Sequence, residues 1–483
     1  MPQSLKQQTA TGLKWSAIER IVNQVVNFVV AIIMARLLTP ADFGLVGMVA
    51  IFIAISQAFV DSGFSQALIR KQDRTEEDNS TAFFFNLFVA ILFYLILFFT
   101  APLIADFYSE PILTPITRVI GLSIIINSLC LVQRALYTIN VDFRTQSKAS
   151  VTASLVSGGI GIGLALAGCN VWAVVGQQLS NLLINTVLFW FFSSWRPRKF
   201  FVWDSFKSLF GFGSKLLVAG LVNVIWNNIY NLVIGKTFTA TDLGYWAKSK
   251  QFSDLPANGT TEIIQRVAFP ILCKIQGEEE RLQNVYRQFI RLSAFIVFPL
   301  LVGLAAVSRS FIIVLLGEQW EFVADLLMII CFSKMWTPLQ AINLNPLQVA
   351  GRSDLFLRLE IIKDIIGLII LIATVKFGLL VMAIGIVISS ILSLVINSYY
   401  SKSLVGVSLW RQLRDVTPTL LLSLLMFCLI MTFNYFVQNI YVELVGGVCI
   451  GVVFYAGIAY LLKFPELKEV VLVAKKYILR VEV

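Results

Sequence analysis

Charged and amide side chains recur at helical spacing inside segments that are otherwise apolar. Ser16, Glu19, Arg20, Asn23, Gln24 and Asn27 fall on one side of a helix. Lys215, Asn223, Asn227 and Asn231 form a second stripe, and Gln57, Asp61 and Ser65 a third. Lys248, Lys250, Gln251, Asp254, Asn258, Glu262 and Arg266 form a fourth. The chemistry these types support is recognition rather than bond making. Arg presents a planar fork to phosphate or carboxylate, and Lys a mobile point charge. Asn, Gln and Ser offer donors and acceptors together, which suits hydroxyl-rich ligands. The chain has no His, which removes imidazole acid–base chemistry, His metal ligands and His proton relays. Cys130, Cys169, Cys273, Cys331, Cys428 and Cys449 are scattered without a CxxC pair and read as small buried apolar residues. There is no G-x-x-x-x-G-K-[ST] phosphate loop, and the GGIGIG run at 158–163 reads as a close helix contact. With no catalytic constellation, metal set or cofactor motif, the chain reads as a non-enzyme.

The elements that hold these stripes follow from composition. Of 483 residues, 58% are hydrophobic and 14% charged, with mean hydropathy +0.81. Soluble domains run near 45–50% apolar and about 25% charged. Apolar runs recur throughout without two-residue alternation, so an all-α polytopic membrane protein is expected rather than a β-barrel. Hydropathy and turn residues place about fourteen spans of roughly 20 residues or more. They lie near 12–37, 42–66, 81–104, 112–138, 147–167, 171–193, 207–234, 242–272, 287–307, 322–349, 355–375, 378–400, 415–437 and 440–462. The first is read as retained rather than as a cleaved signal.

The net charge of +10 reads as cytoplasmic loop charge and not as a nucleic-acid surface. Basic residues gather at alternate turns: Lys6 and Lys14; Arg70, Lys71 and Arg74; Arg144 and Lys148; Arg196, Arg198, Lys199 and Lys207; Lys274, Arg281, Arg287 and Arg291; Arg352 and Arg358; Lys402, Arg411 and Arg414; Lys463, Lys468, Lys475, Lys476 and Arg480. The intervening turns carry Arg36, Lys236, Arg309 and Lys376. This alternation puts both termini in the cytoplasm. Segment 465–480 has apolar residues at helical spacing among lysines and is expected to lie on the inner membrane surface. Trp195, Trp203, Trp320 and Trp410 sit near span ends, as interfacial anchors do.

The motif TPADFG (39–44) recurs as TATDLG (239–244). Val22/Val222, Asn23/Asn223, Asn27/Asn227, Thr39/Thr239, Asp42/Asp242 and Gly44/Gly244 are identical pairs at this offset of 200. Six spans separate the copies, and an even number preserves orientation, so the repeat is parallel. The expected architecture is two pseudo-twofold-related six-helix lobes around a central cavity, plus two C-terminal helices. Residues 1–200 form the N-lobe, 201–403 the C-lobe, 404–464 the last two spans and 465–483 a cytoplasmic amphipathic tail.

Placing a charge at the bilayer centre costs about 2.5–3.5 kcal/mol on insertion scales. That cost falls where the face lines water. Arg20, Arg118, Arg134, Lys215, Lys248, Lys250, Arg266, Lys334 and Lys363 lie in or at the edges of spans. Some have sequence neighbours of opposite charge: Glu19 beside Arg20, Glu262 four residues before Arg266, and Asp364 beside Lys363. Internal pairing and an anionic ligand are both open readings for these cations. Likewise Asn23 and Asn223 suit either helix-to-helix hydrogen bonds or a ligand. The candidate substrate-binding residues are Arg20, Asn23, Asn27, Lys215, Asn223, Asn227, Lys248, Lys250 and Arg266. Asp61, Asp254 and Glu262 are candidates for ion coupling.

Stretches TGLKWSAI (11–18), ARLLTPADFGLVGM (35–48), DSGFSQALIRKQ (61–72), RVAFPILCKIQGEEERL (266–282) and LLGEQW (315–320) make the chain resemble one transporter group. This is the lipid-linked oligosaccharide flippases of the multidrug/oligosaccharidyl-lipid/polysaccharide exporter (MOP) superfamily, in particular the colanic-acid-exporter type. The resemblance implies a V-shaped transporter of the bacterial inner membrane. It would move an undecaprenyl-diphosphate-linked repeat unit from the cytoplasmic to the periplasmic leaflet, working by alternating access as a monomer among membrane lipids. Polysaccharide polymerase and glycosyltransferases would be its pathway partners. Related peptidoglycan-precursor flippases use cavity arginines on the first, second and eighth helices; Arg266 has a comparable placement, Arg20 lies on the first helix, and span 2 has no central arginine. The alternatives are a drug or cation antiporter of the same superfamily, a membrane-embedded polymerase or glycosyltransferase, and a pore.

Overall fold

In hydrocarbon every backbone N–H and C=O must be satisfied within its own segment, so apolar runs of this length become helices. A computed structural model describes residues 5–198 and 201–478, and every regular element among them is helical. Lys199, Arg480 and the end of the 465–483 tail lie outside the described residues, as do the side chains of Lys6, Lys14, Ser16, Lys475 and Lys476. The protein is an all-helical polytopic membrane protein. By length and composition 11 helical segments among the described residues are able to cross a membrane, against the fourteen expected. The difference is Val171–Phe192, Ala240–Lys274 and Ser353–Thr374. The first is rich in Gln and Asn, and the others carry repeated charges, so none is uniformly apolar.

The chain divides into two compact units, 1–244 and 245–483. The first contains α1 (Leu5–Leu37), α2 (Pro40–Asp61), α3 (Phe64–Arg70), α4 (Glu76–Tyr108), α5 (Leu113–Ser128), α6 (Leu131–Ile139), α7 (Phe143–Leu166), α8 (Val171–Phe192) and α9 (Trp203–Thr237). Here α7 packs along α1 and α8, α4 along α5, and α9 along α2 and α4. The glycine run on α7 allows this. A Cβ on Gly158 would sit 2.5 Å from Val30 Cγ2, and one on Gly161 2.7 Å from Gln177 Cβ.

The start of α10 (Ala240–Lys274) belongs to the first unit and the rest to the second. The second unit continues with α11 (Glu279–Ala306), α12 (Ser308–Leu316), α13 (Glu321–Lys334), α14 (Thr337–Val349), α15 (Ser353–Thr374), α16 (Leu379–Asn397), α17 (Ser401–Val405), α18 (Leu409–Phe436), α19 (Ile440–Leu461) and α20 (Pro465–Ile478). Its spine is α11, which packs on α18, α13 and α14. A fully buried polar node joins α11, α14, α17 and α18. Tyr286 Oη donates to Asn343 Oδ1 at 2.6 Å, Ser401 Oγ donates to the same oxygen at 2.8 Å, and Asn343 Nδ2 donates to Gln412 Oε1 at 3.0 Å. Arg287 grips Asp415 with two bonds of 2.7 Å. Arg291 pairs with Glu466 at 3.1 Å, and Gln288 Nε2 donates to Glu469 at 2.8 Å, so α20 is docked on α11.

The repeated motif builds the same cap twice. Asp42 Oδ2 accepts from the Thr39 N–H at 2.9 Å and its hydroxyl at 2.7 Å. Asp242 Oδ2 accepts from the Thr239 N–H at 3.1 Å and its hydroxyl at 2.8 Å. Each cap satisfies donors left over at a helix start. The two copies also touch each other reciprocally. A Cβ on Gly44 would stand 1.7 Å from Ala240 O, and one on Gly244 would stand 2.0 Å from Pro40 O. Positions 40 and 240 are equivalent in the repeat, so each glycine receives the other copy's first helical turn. Gly44→Ala and Gly244→Ala are therefore each expected to destabilise the protein by roughly 1–3 kcal/mol through overpacking. Gly159→Ala, with nothing within 4 Å of its Cβ, should change stability by less than about 0.5 kcal/mol. Thermal melting of the purified variants checks this, and equal melting of all three would refute it.

Candidate functional site

The polar stripe of α1 divides into two lines. Glu19 accepts from Ser147 Oγ at 3.1 Å, and Asn23 Nδ2 donates to Ser150 Oγ at 2.7 Å. Both partners are on α7, so this line ties two helices together. Arg20, Gln24 and Asn27, one helical step around, are exposed. On α9, Lys215, Asn223 and Asn227 are exposed along one face, and Asn227 Nδ2 donates to Asn223 Oδ1. Asp61 ends α2 where the chain breaks through Ser62 (φ 42°) and Gly63 (φ 71°). Its carboxylate accepts from Ser65 Oγ across that break.

Several span cations have structural partners. Arg118 Nε donates to Phe98 O at 3.3 Å and lies 4.4 Å from the Phe98 ring centroid. Arg134 lies over the Phe189 ring. Lys363 Nζ pairs with Glu360 at 2.6 Å rather than with its sequence neighbour Asp364. Residues one apart on a helix do not face each other, whereas residues three apart do.

The remaining candidates lie on α10, which is interrupted by Pro256 and Pro270. Lys248 is only 5% exposed, and its Nζ donates to Gln251 Oε1 at 3.3 Å. Asp254 is 2.5 Å from Lys334 Nζ, an ion pair joining α10 to α13. Lys250 is half-buried on the same stretch. Further along, Glu262 and Arg266 line a cavity of about 520 Å³. Gln265 and Phe269 from α10, Ala341, Leu344, Asn345 and Gln348 from α14, and Phe356 from α15 complete it. Arg266 is exposed and forms no ion pair with the described residues. A guanidinium offers a planar fork of donors to an anion, and here it opens onto a cavity of mixed polar and apolar lining. In the second unit the cavity thus brings Glu262 and Arg266 together, while Asp254 and Lys250 lie beside Lys334 and Lys248 is held by Gln251.

A second groove of about 520 Å³ is almost wholly apolar. Pro299, Gly303 and Leu304 of α11, Met426 and Ile430 of α18, and Gly447 and Gly451 of α19 are among its walls. Sequence reasoning missed this groove, the Tyr286 node, the Arg287–Asp415 pair and the polar wall of α14. Asn343 and Asn345 inside a span were the one available signal.

Residues 33–325, more than half of the chain, match the family described as polysaccharide biosynthesis protein. The chain belongs to that family. It is 27% identical over 357 residues to the teichuronic acid biosynthesis protein TuaB of Bacillus subtilis, covering 73% of each chain. It is 25% identical over 442 residues to the lipopolysaccharide biosynthesis protein WzxC of Escherichia coli, covering 87% of this chain and 88% of the other. Among solved structures, the lipid II flippase MurJ in its inward closed conformation matches with a TM-score of 0.73 at 14% identity, covering 92% of this chain and 97% of MurJ. An inward-facing multidrug resistance MATE family transporter of the MOP superfamily matches with a TM-score of 0.62 at 15% identity, covering 84% and 98%. At these identities the structural likenesses establish the fold: this chain has the polytopic helical fold of MOP transporters.

The Lys334–Asp254 pair generates a double-mutant test. Asp254→Asn and Lys334→Met each strand a partly buried partner and should lower the melting temperature. The double variant should melt higher than the two losses sum to, with a coupling of roughly 0.5–3 kcal/mol. Strictly additive losses would show that the pair contributes nothing.

Proposed function

We propose that this protein moves an undecaprenyl-diphosphate-linked oligosaccharide repeat unit from the cytoplasmic to the periplasmic leaflet of the bacterial inner membrane, supplying surface polysaccharide assembly. Both termini are cytoplasmic in this reading, and the two repeated lobes alternate access to the substrate. The observation that carries it is Arg266, an exposed guanidinium without an ion pair among the described residues, opening onto a cavity where Glu262, Gln265, Asn345 and Gln348 stand among apolar neighbours. A diphosphate matches the bidentate fork of Arg. The apolar groove among α11, α18 and α19 offers the polyprenyl tail a wall of matching character. Arg20, Lys215 and the Asn223–Asn227 pair, exposed on α1 and α9, are the candidate polar residues within the first unit. Family membership supports the pathway, and one relative is named as a succinoglycan biosynthesis transport protein. The cation-antiporter alternative needs acidic groups free to exchange their partners, and Asp254 is already held by Lys334. Action on the lipid-linked substrate is transport, without bond chemistry.

Arg266→Ala is expected to lower flipping of lipid-linked oligosaccharide in reconstituted vesicles by about 10- to 100-fold, the worth of one charge-assisted hydrogen-bond set. Arg266→Lys should retain part of the activity, because it keeps the charge and loses the fork. Flipping at the wild-type rate by Arg266→Ala, at equal protein in the vesicles, overturns the assignment.

A further inference from the structure

The cavity beside Arg266 is lined by more than an anion needs. A bare phosphate is satisfied by donors alone, and a carboxylate on the same wall repels it. Glu262 stands one turn before Arg266 on the same cavity, accompanied by Gln265, Asn345 and Gln348. Together these groups both donate and accept, which is the pattern of hydroxyls rather than of phosphate oxygens. Phe269 and Phe356 add two aromatic rings to the lining, and the C–H face of a pyranose packs on such rings.

Asn345 is the most telling member. It is 2% exposed, it lines the cavity, and its Nδ2 has no hydrogen-bond partner. A buried amide donor without an acceptor is unfavourable, and where one occurs it calls for an explanation. Packing does not supply it. Asn343, two residues earlier on the same helix, has its amide fully used by Leu339 O and Gln412 Oε1. α14 therefore carries one satisfied buried amide and one unsatisfied buried amide, and the unsatisfied one is at the cavity. The volume of about 520 Å³ lies within the range of small-ligand sites, about 300–1,000 Å³.

We propose that this cavity is a sugar subsite: Asn345, Gln348, Gln265 and Glu262 hydrogen-bond the first hexose of the cargo while Arg266 holds the adjoining diphosphate. The assignment rests on the diphosphate-linked substrate proposed above. It makes α14 a specificity element, since its amides meet a ring whose hydroxyl pattern differs between hexoses, whereas Arg266 meets a diphosphate common to all of them.

The test is equilibrium binding to the full-length purified protein with three probes: undecaprenyl diphosphate, and the same lipid carrying a single glucose or a single galactose. The wild type should bind at least one hexose-bearing lipid about tenfold more tightly than the bare lipid. Asn345→Leu, which removes the unpartnered amide at similar volume, should abolish that difference and leave binding of the bare lipid within about twofold. Gln348→Ala, an exposed position with little risk to folding, should reduce the difference in the same direction. Arg266→Ala should weaken all three lipids together. Equal binding of all three lipids by the wild type overturns the sugar subsite alone. So does an Asn345→Leu variant that keeps the hexose preference or weakens the bare lipid equally. Failure of the wild type to bind any of the three overturns the diphosphate-linked reading on which the subsite rests.

Discussion

An ionised side chain inside hydrocarbon must find a partner or find water, and that requirement sorts the charges of this chain. Lys334 is matched by Asp254, Lys363 by Glu360, and Arg287 by Asp415. Arg118 uses a carbonyl and an aromatic face. Lys215 and Arg266 are instead exposed, and an exposed charge within a spanning helix is sustainable only beside water. Arg266 opens onto a cavity that it lines together with Glu262, Gln265, Asn345 and Gln348. The distinction separates cations that hold helices from those available to a ligand, and it is drawn by geometry rather than by residue type.

The repeat is the second organising fact. Two copies of a six-residue motif build the same Thr–Asp cap, and each places its glycine against the other copy's first helical turn. An interface that uses equivalent residues on both sides is self-complementary, as an isologous contact between two subunits is. A substitution at either glycine therefore disturbs one of the two contacts. α10 carries Lys248, Lys250, Asp254, Glu262 and Arg266, whereas α2 has only Asp61 among its charges beyond the cap.

Much of the fold was legible because a bilayer allows few solutions. Span positions, the helical class, the repeat and the close contact at the glycine run follow from hydropathy, periodicity and small-residue spacing. The shortfall in spans that qualify on apolarity has a local cause: α8, α10 and α15 carry the amides and charges that a hydropathy criterion rejects. The α1 stripe shows where pattern reading stops. Glu19 and Arg20 are adjacent in sequence and share one broad polar side, yet Glu19 packs on Ser147 while Arg20 stays exposed. A step of 100° about the helix decides between the two fates, and only the position of α7 reveals which residue takes which. The Tyr286 node was hidden for a related reason. Its hydrogen-bonded pairs lie 57 to 126 residues apart, and apart from Asn343 each member alone reads as an ordinary residue at a span edge.

A carrier must also release what it binds. Were the diphosphate surrounded by several arginines in a site of low dielectric, attraction would be strong and departure slow, because differences in affinity appear mostly in the off-rate. The cavity here has one arginine with a carboxylate a turn away and neutral amides around it. In the proposed site Glu262 would limit how strongly a diphosphate is held, and the amides would add contacts that are individually weak and directional. Affinity built this way is graded: removing the cargo stepwise breaks modest bonds, and water replaces each of them. The composition of α10 and α14 therefore suits a site that selects its cargo and yet lets it leave.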